Sequence, residues 1–298
     1  MHGWIILDKP YELGSTQAVS AVKRALREAG LPRTKVGHGG TLDPLATGVL
    51  PIAIGEATKL AGRMLDSDKA YDFTIRFGAQ TDTLDTEGRV IATSEARPTR
   101  AQIEAMLPHF TGAIEQMPPA FSALKVDGRR AYDLARAGEE VALQARSVTI
   151  HSLTIKDGAN GDETLEEITL SAAVSKGTYI RSLARDFALA LGTVGHVTML
   201  RRTKAGPFTL EAAISLDNLA QAARDRAIAQ LMLPLTAGLD DIPALHVTPA
   251  EALALKQGKL LAGDPRKTGL MLALDGDMPV ALVEGSGTEI RVVRGFNL

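Results

Sequence analysis

The chain has 298 residues, 45% of them apolar and 23% charged, the balance of a water-soluble globular protein with enough core for more than one domain. It contains no cysteine, which excludes a disulfide framework and thiolate chemistry and argues against a zinc site. The net charge of −2 hides an uneven distribution: basic residues gather at Lys23, Arg24, Arg27, Arg33 and Lys35, at Lys125, Arg129, Arg130 and Arg136, and at Arg201, Arg202 and Lys204, while acids concentrate over 157–167. Each cluster alone reads as a solvated face; together they permit a basic strip on a near-neutral protein. The apolar run Trp4–Leu7 is too short for a signal peptide or a membrane span, so a cytoplasmic protein with no membrane partner is expected.

Trp4–Leu7 reads as a core strand ended by Asp8-Lys9-Pro10. Ser15 or Thr16 is placed to cap a helix to about Ala29, with Val19, Val22 and Leu26 on one face and Gly30 as its stop. From Gly37 to Gly55 runs Gly-His-Gly-Gly-Thr-Leu-Asp-Pro-Leu-Ala-Thr-Gly-Val-Leu-Pro-Ile-Ala-Ile-Gly, a stretch with five glycines and two prolines. Glycine permits close backbone approach and Asp-Pro favours a turn, so a tight, partly apolar loop presents Asp43 and passes into a buried strand. An isolated Asp43 would read as a turn cap. An amphipathic helix is predicted near Ala57–Leu65.

Tyr71–Phe77 alternates apolar and polar residues, the pattern of a strand with one buried face. By pattern alone Tyr71 is a tyrosine at the edge of the core with its hydroxyl satisfied. An acidic turn over Gln80–Gly88 leads to a partner strand at Arg89–Ala92, and a helix follows at about Arg100–Phe110. Met117–Lys125 is proline-interrupted and continues as a basic helical stretch to Gly138, read as an exposed projection. Strands at Val148–Ile155 and Leu165–Val174 flank an acidic, glycine-containing turn.

Thr178 is placed to cap a helix to Leu191 that turns Ile180, Leu183, Phe187 and Leu191 inward, with Gly192 as its stop. Arg181 falls in its first turn, where the helix dipole disfavours a cation, so an anionic partner is expected. Gly195–Phe208 reads as a strand joined to a basic turn, and Ile214–Leu231 as alanine-rich helix. A change of composition over Pro234–Pro243 marks a linker, after which come a short helix at Pro249–Gln257 and short strands ending in Ile290–Phe296.

No Walker loop, dinucleotide fingerprint, G-x-S-x-G elbow or H-E-x-x-H motif occurs. What is left is carboxylate chemistry with no evident cofactor.

In their order, Lys9-Pro10, Gly37-His38-Gly-Gly-Thr-Leu-Asp43-Pro-Leu-Ala-Thr-Gly48, Asp66-Ser-Asp-Lys-Ala-Tyr71, Thr81-Asp-Thr-Leu-Asp85, Ser175-Lys-Gly-Thr-Tyr-Ile-Arg181 and Leu200-Arg-Arg202 resemble the TruB family of pseudouridine synthases over about residues 3–215. The resemblance implies isomerisation of uridine 55 in the T-loop of transfer RNA by a lone enzyme without metal or cofactor. It implies an α+β fold: a mixed, mostly antiparallel sheet flanked by helices, with a cleft holding Asp43. It assigns Asp43 as the catalytic aspartate, Arg181 as its ionic partner with Asp85 in the same network, and Tyr71 as the ring stacked on the target base. His38 takes the place of the extruded base, and Lys9, Tyr179 and Leu200 are pocket walls. Arg201 and Arg202 are the first candidates for phosphate contacts, in a complex that weakens steeply with salt.

Two departures mark the chain: His38-Gly39-Gly40 where many relatives read His-Thr-Gly, and Lys9-Pro10-Tyr-Glu-Leu-Gly14 where many read Lys-Pro-x-Gly. The C-terminal end resembles a small PUA-like domain, so residues 1–238 are expected to form the catalytic domain and 239–298 the small one. A monomer acting on the T-arm with no obligate protein partner is expected. The rival readings are an RNA-guided synthase subunit, inactive without guide RNA and partner proteins, a tRNA-folding chaperone whose isomerase activity is incidental or lost, and an unrelated soluble enzyme that does not bind tRNA at low salt.

Overall fold

The computed structural model describes residues 1–122, 124–126, 129–137, 143–157 and 163–298; the side chains of 125, 126, 130, 133, 135, 136 and 157 lie outside the description. The expected glycine-containing turn near 160, the helix end at Gly138 and the basic side chains of Lys125, Arg130 and Arg136 therefore lie outside the described residues. The chain divides into two units: Met1–Asp43, Leu50–Leu65 and Gly206–Leu298 make the first, and Pro44–Val49 with Asp66–Ala205 the second.

In the first unit the strand Gly3–Lys9 lies between Leu233–Pro234 and the strand Thr47–Ile54, whose last five residues belong here. Val36–His38 pairs antiparallel with that strand, His38 opposite Ile52. Helices Ser15–Glu28 and Leu216–Arg224 pack their apolar faces on Ile5, Leu7, Leu50, Ile52 and Ile54. The first helix begins one residue earlier than the cap pattern implies. Gly14 is its N-cap and Ser15 is buried inside it, because the Ser15 hydroxyl is engaged elsewhere.

The stretch read as a linker is docked: the indole N–H of fully buried Trp4 donates to the Leu235 carbonyl at 3.1 Å, and Leu235 and Leu239 are buried. Beyond it, five strands in the order Ala244–His246, Thr268–Asp275, Met278–Ser286, Glu289–Gly295 and Leu261–Ala262 form a separate sheet. The helix Pro249–Lys256, capped by Thr248, covers it with Ala252 and Leu255. The predicted amphipathic helix is a 3-10 turn, Gly55–Leu60, running into Ala61–Asp66. These two segments hold the C-terminal sheet: Lys59 donates to the Gly295 carbonyl at 2.8 Å, the Asn297 N–H to Glu56 at 2.8 Å, and Arg63 pairs with Asp241 at 2.9 Å.

In the second unit the strands run Gly195–Ala205, Lys69–Phe77, Glu167–Val174, Arg146–Asp157 and Gly112–Gln116, every neighbouring pair antiparallel. One parallel pairing sets Thr47 and Gly48 against Arg201 and Arg202. The expected mixed, mostly antiparallel α+β architecture is what the chain adopts.

Lys69–Phe77 is central, and this changes one expectation. Phe73, Ile75 and Phe77 are buried as predicted, but so are Asp72 and Thr74 on the opposite face. Their polarity is satisfied: Asp72 accepts from Ser171 at 2.6 Å and from Lys156, and Thr74 meets the Thr169 hydroxyl at 2.9 Å. The helix Ile180–Ala190 buries Ile180, Leu183 and Phe187 against this sheet. Its cap is Tyr179, since the Thr178 hydroxyl turns back to the Ser175 carbonyl at 3.0 Å.

Gly195–Ala205 is one long strand, so Arg201, Arg202 and Lys204 lie within it and not on a turn. Strand pairing on both sides overrides the low strand preference of its cations. The expected basic projection is partly inward: the helix Ala131–Arg136 begins only at Ala131, and Ala131 and Leu134 are buried. No helix among the described residues is long and apolar enough to cross a membrane.

Candidate active site

Asp43 is half-buried at the end of a loop held from its first residues onward. The Ser15 hydroxyl takes both backbone groups of Leu42, donating to its carbonyl and accepting from its N–H, each at 2.9 Å. Leu42 is buried at 4% exposure, so Asp43 follows a residue fixed by packing and by two hydrogen bonds. A serine before a helix reads as a cap in sequence, which is why this tie was missed.

Upstream, the Gly39 N–H donates to the Pro51 carbonyl at 2.8 Å, and a Cβ on Gly39 would lie 2.6 Å from that of Met64. A side chain at Gly39 would therefore require Met64 to move. His38 precedes it, half-buried at the end of its short strand. Lys9 is fully buried and its ammonium binds the Pro10 and Leu13 carbonyls at 2.9 and 2.7 Å, folding the loop before Gly14 back on itself.

In the second unit, the segment following Asp43 is held just as closely. Gly48 has φ +99°, and a Cβ there would run into the Arg202 carbonyl oxygen, so only glycine lets the two strands approach. Arg202 is 1% exposed and donates from Nε to the Val49 carbonyl at 2.7 Å. This corrects the phosphate reading of Arg202: a buried guanidinium that donates to the Val49 carbonyl positions the chain and does not reach out to solvent. Arg201, half-buried beside it, donates to the Thr47 hydroxyl at 3.3 Å. Tyr71 stands opposite Ala172 on one neighbouring strand and Arg202 on the other, half-buried against the core at the start of its strand. Leu200 packs on the same core, opposite Phe73.

Arg181 and Asp85 are brought together. Arg181 is 6% exposed and donates to the Thr83 carbonyl at 2.8 Å, the Phe121 carbonyl at 3.0 Å and the Asp85 carboxylate at 3.3 Å. Asp85 also accepts from the Thr83 hydroxyl at 2.6 Å and the Glu87 N–H at 3.0 Å. The turn that supplies two of Arg181's acceptors is strained: buried Leu84 has φ +64°, a conformation costing about 1–3 kcal/mol outside glycine. The anionic partner expected for a cation in a first helical turn is thus present in Asp85, joined by two carbonyls.

The same helix face secures the proline-interrupted segment, with Ser182 and Arg185 donating to the Met117 carbonyl at 2.8 and 3.0 Å. Tyr179 is clamped by fully buried Gln116, which accepts from its N–H at 2.8 Å and donates to its carbonyl at 3.1 Å, while the Arg146 guanidinium lies 4.9 Å from its ring centre. Nothing in the sequence singles out Gln116. Nor does it single out Lys69, two residues before Tyr71. Burial first and the Arg202 charge second push its ammonium down to about 8, against the pull of Asp66 and Asp68.

A model of the TruB family pseudouridylate synthase N-terminal domain matches residues 24–180, and one of the tRNA pseudouridylate synthase B C-terminal domain matches 181–240. The tRNA pseudouridine synthase B of Novosphingobium aromaticivorans is 62% identical over 296 residues, spanning 99% of this chain and 97% of that protein. That of Zymomonas mobilis is 59% identical over 297 residues, 100% of this chain and 96% of that protein. Among solved structures, one from an archaeal box H/ACA Nop10–Cbf5 complex shares the fold, with a TM-score of 0.72 at 24% identity over 99% of this chain and 86% of that one.

Proposed function

The chain belongs to the TruB family of pseudouridylate synthases and is an isomerase that makes pseudouridine in tRNA; from that premise we propose that its target is uridine 55 of the T-loop, reached by flipping the nucleotide out of the RNA. The observation that carries this reading is the anchoring of the Asp43 loop, with Leu42 tied by Ser15 before it and Val49 tied by Arg202 after it. A carboxylate so mounted needs little reorganisation at the moment of reaction.

Extruding the base costs a few kcal/mol, and stacking on Tyr71 returns about 1–3 kcal/mol. His38 fills the vacated place. Asp43 drives rupture of the C1′–N1 bond; the uracil turns and C1′ bonds to C5. The C5 proton is lost and N1 gains one, so composition is unchanged. Because no water takes part, the free uracil must be retained, a task for the apolar side chains of Leu42, Leu45 and Leu200.

Burial would favour the neutral acid, and we assign Arg181 the charge that keeps Asp43 ionised, with Asp85 in the same network. Lys9 and Tyr179 shape the pocket, and Arg201 meets phosphate. Residues 1–238 are assigned to catalysis and 239–298 to a small PUA-like domain, in a monomer that works on the T-arm in the cytoplasm without an obligate protein partner.

The test is tritium release from tRNA labelled at uridine C5. Asp43→Asn should cut the rate by about 10⁴-fold or more, the scale of losing one member of a catalytic unit, while the circular dichroism spectrum stays native. Labelled tRNA with cytidine at position 55 should release nothing. Full activity in the variant overturns the assignment of Asp43; full release from the altered tRNA overturns that of the target.

A further inference from the structure

The cations between positions 23 and 35 have no part in the site described above. Lys23, Arg24, Arg27, Arg33 and Lys35 are all exposed, and none makes an ion pair with a described residue. Lys23 and Arg27 stand one turn apart on the helix Ser15–Glu28, a like-charge spacing that works against the helix. Gly30, at φ +74°, stops that helix and returns the chain, so that Arg33 and Lys35 line the same cleft as Lys23 and Arg27. Among the described residues no carboxylate lines this cleft, whose apolar surface includes Leu26 and Leu31. Its volume is about 930 Å³, far more than the roughly 30 Å³ share of one water, so it suits an extended anion better than a single small ion.

Repelling charges held together with no carboxylate among the described lining residues suit an anionic partner. The known substrate is itself a polyanion with charges at regular intervals, and the lining includes none of Asp43, Tyr71 or Arg181. We propose that this cleft seats the sugar-phosphate backbone of the substrate tRNA at nucleotides other than the one isomerised. The cations neutralise successive phosphates, and the apolar surface takes ribose faces. This extends the reading that the chain acts on tRNA, and it adds a second place of contact to that at Arg201.

The experiment measures equilibrium binding of unmodified substrate tRNA by fluorescence anisotropy across a series of KCl concentrations. It compares the wild type, the fourfold variant Lys23→Gln, Arg27→Gln, Arg33→Gln, Lys35→Gln, and the control Arg266→Gln, Arg291→Gln. The control cations are already paired, with Asp264 and Glu284.

The fourfold variant should bind about tenfold or more weakly near 0.1 M salt, with the slope of log affinity against log salt reduced by about 2–4. The control should keep the wild-type slope. Unchanged affinity and slope in the fourfold variant overturns the proposal, as does an equal loss in the control, which would make the effect one of net charge. Intact tRNA binding with lost binding to phosphatidylserine vesicles would also overturn it, in favour of a lipid surface. If the fourfold variant melts early, Lys23→Gln and Lys35→Gln alone should each lower the slope by about one. Because the readout is binding, tritium release by the wild type tests the isomerase reading separately.

Discussion

Arg181 and Arg27 both stand on helices that bury one face, Arg181 in the first turn of its helix and Arg27 in the last. By the helix dipole alone Arg27 is well placed and Arg181 badly placed. Their surroundings reverse that ranking: Arg181 is buried with the Thr83 and Phe121 carbonyls and the Asp85 carboxylate around it, whereas Arg27 is exposed and has no ion-pair partner among the described residues. The magnitudes explain the reversal. An unfavourable dipole costs about 0.3–1 kcal/mol, and a buried charge left without its partner costs about 3–5 kcal/mol. A cation whose donors are spent on its own chain holds that chain in place. One whose donors are unspent is available to something else.

Arg181→Met is the severest way to break this comparison. It leaves Asp85 buried without its guanidinium, and should lower stability by about 3–5 kcal/mol in urea unfolding, where Arg27→Met should stay within about 0.5 kcal/mol of the wild type. Equal effects at the two positions would refute the contrast. Ser15→Ala comes next, since it strips both ties from Leu42. A loss of about 1–3 kcal/mol is expected, and if the loop before Asp43 shifts, tritium release should slow by about 10–100-fold. An unaffected rate would mean that the loop holds its shape without Ser15.

The mildest change sharpens the comparison by titration. The Lys69 ammonium is depressed to about 8 in the fold against an ordinary value of 10.5, by burial and then by Arg202. Between those values the unfolded chain binds more protons than the folded one, so this lysine's contribution to stability rises with pH across that window. Its penalty is fully present below about 8. Thermal melting of wild type and Lys69→Met should therefore show the wild type gaining on the variant from pH 8 towards 10.5. A constant difference would remove the depressed titration.

Strongly periodic segments were legible from sequence. Lys69–Phe77 and Ile180–Ala190 occur where their repeats of two and about 3.6 place them. Their ends were less so, because Ser15 and Thr178 could spend their hydroxyls in more than one way. Ser15 went to Leu42, distant in sequence, and Thr178 to Ser175, leaving Gly14 and Tyr179 as the caps. The cations late in Gly195–Ala205 argue against a strand and suggest a basic turn, yet ladders to Lys69–Phe77 and to Thr47–Gly48 carry it through Arg202. The burial of Arg202 was equally hidden, since a run of Arg-Arg looks like surface until the carbonyl waiting for it is known.

From the order of residues alone came the family and the candidates for its chemistry: a single acid within a glycine-rich loop, an aromatic residue opening an alternating strand, and an arginine at a helix start. Folding decided the use of each donor. Backbone carbonyls are among the groups that take up Arg181, Arg202, Lys9 and Ser15. Every residue has a carbonyl, so it leaves no mark in a sequence of side chains, and only the path of the chain determines which one a buried cation meets.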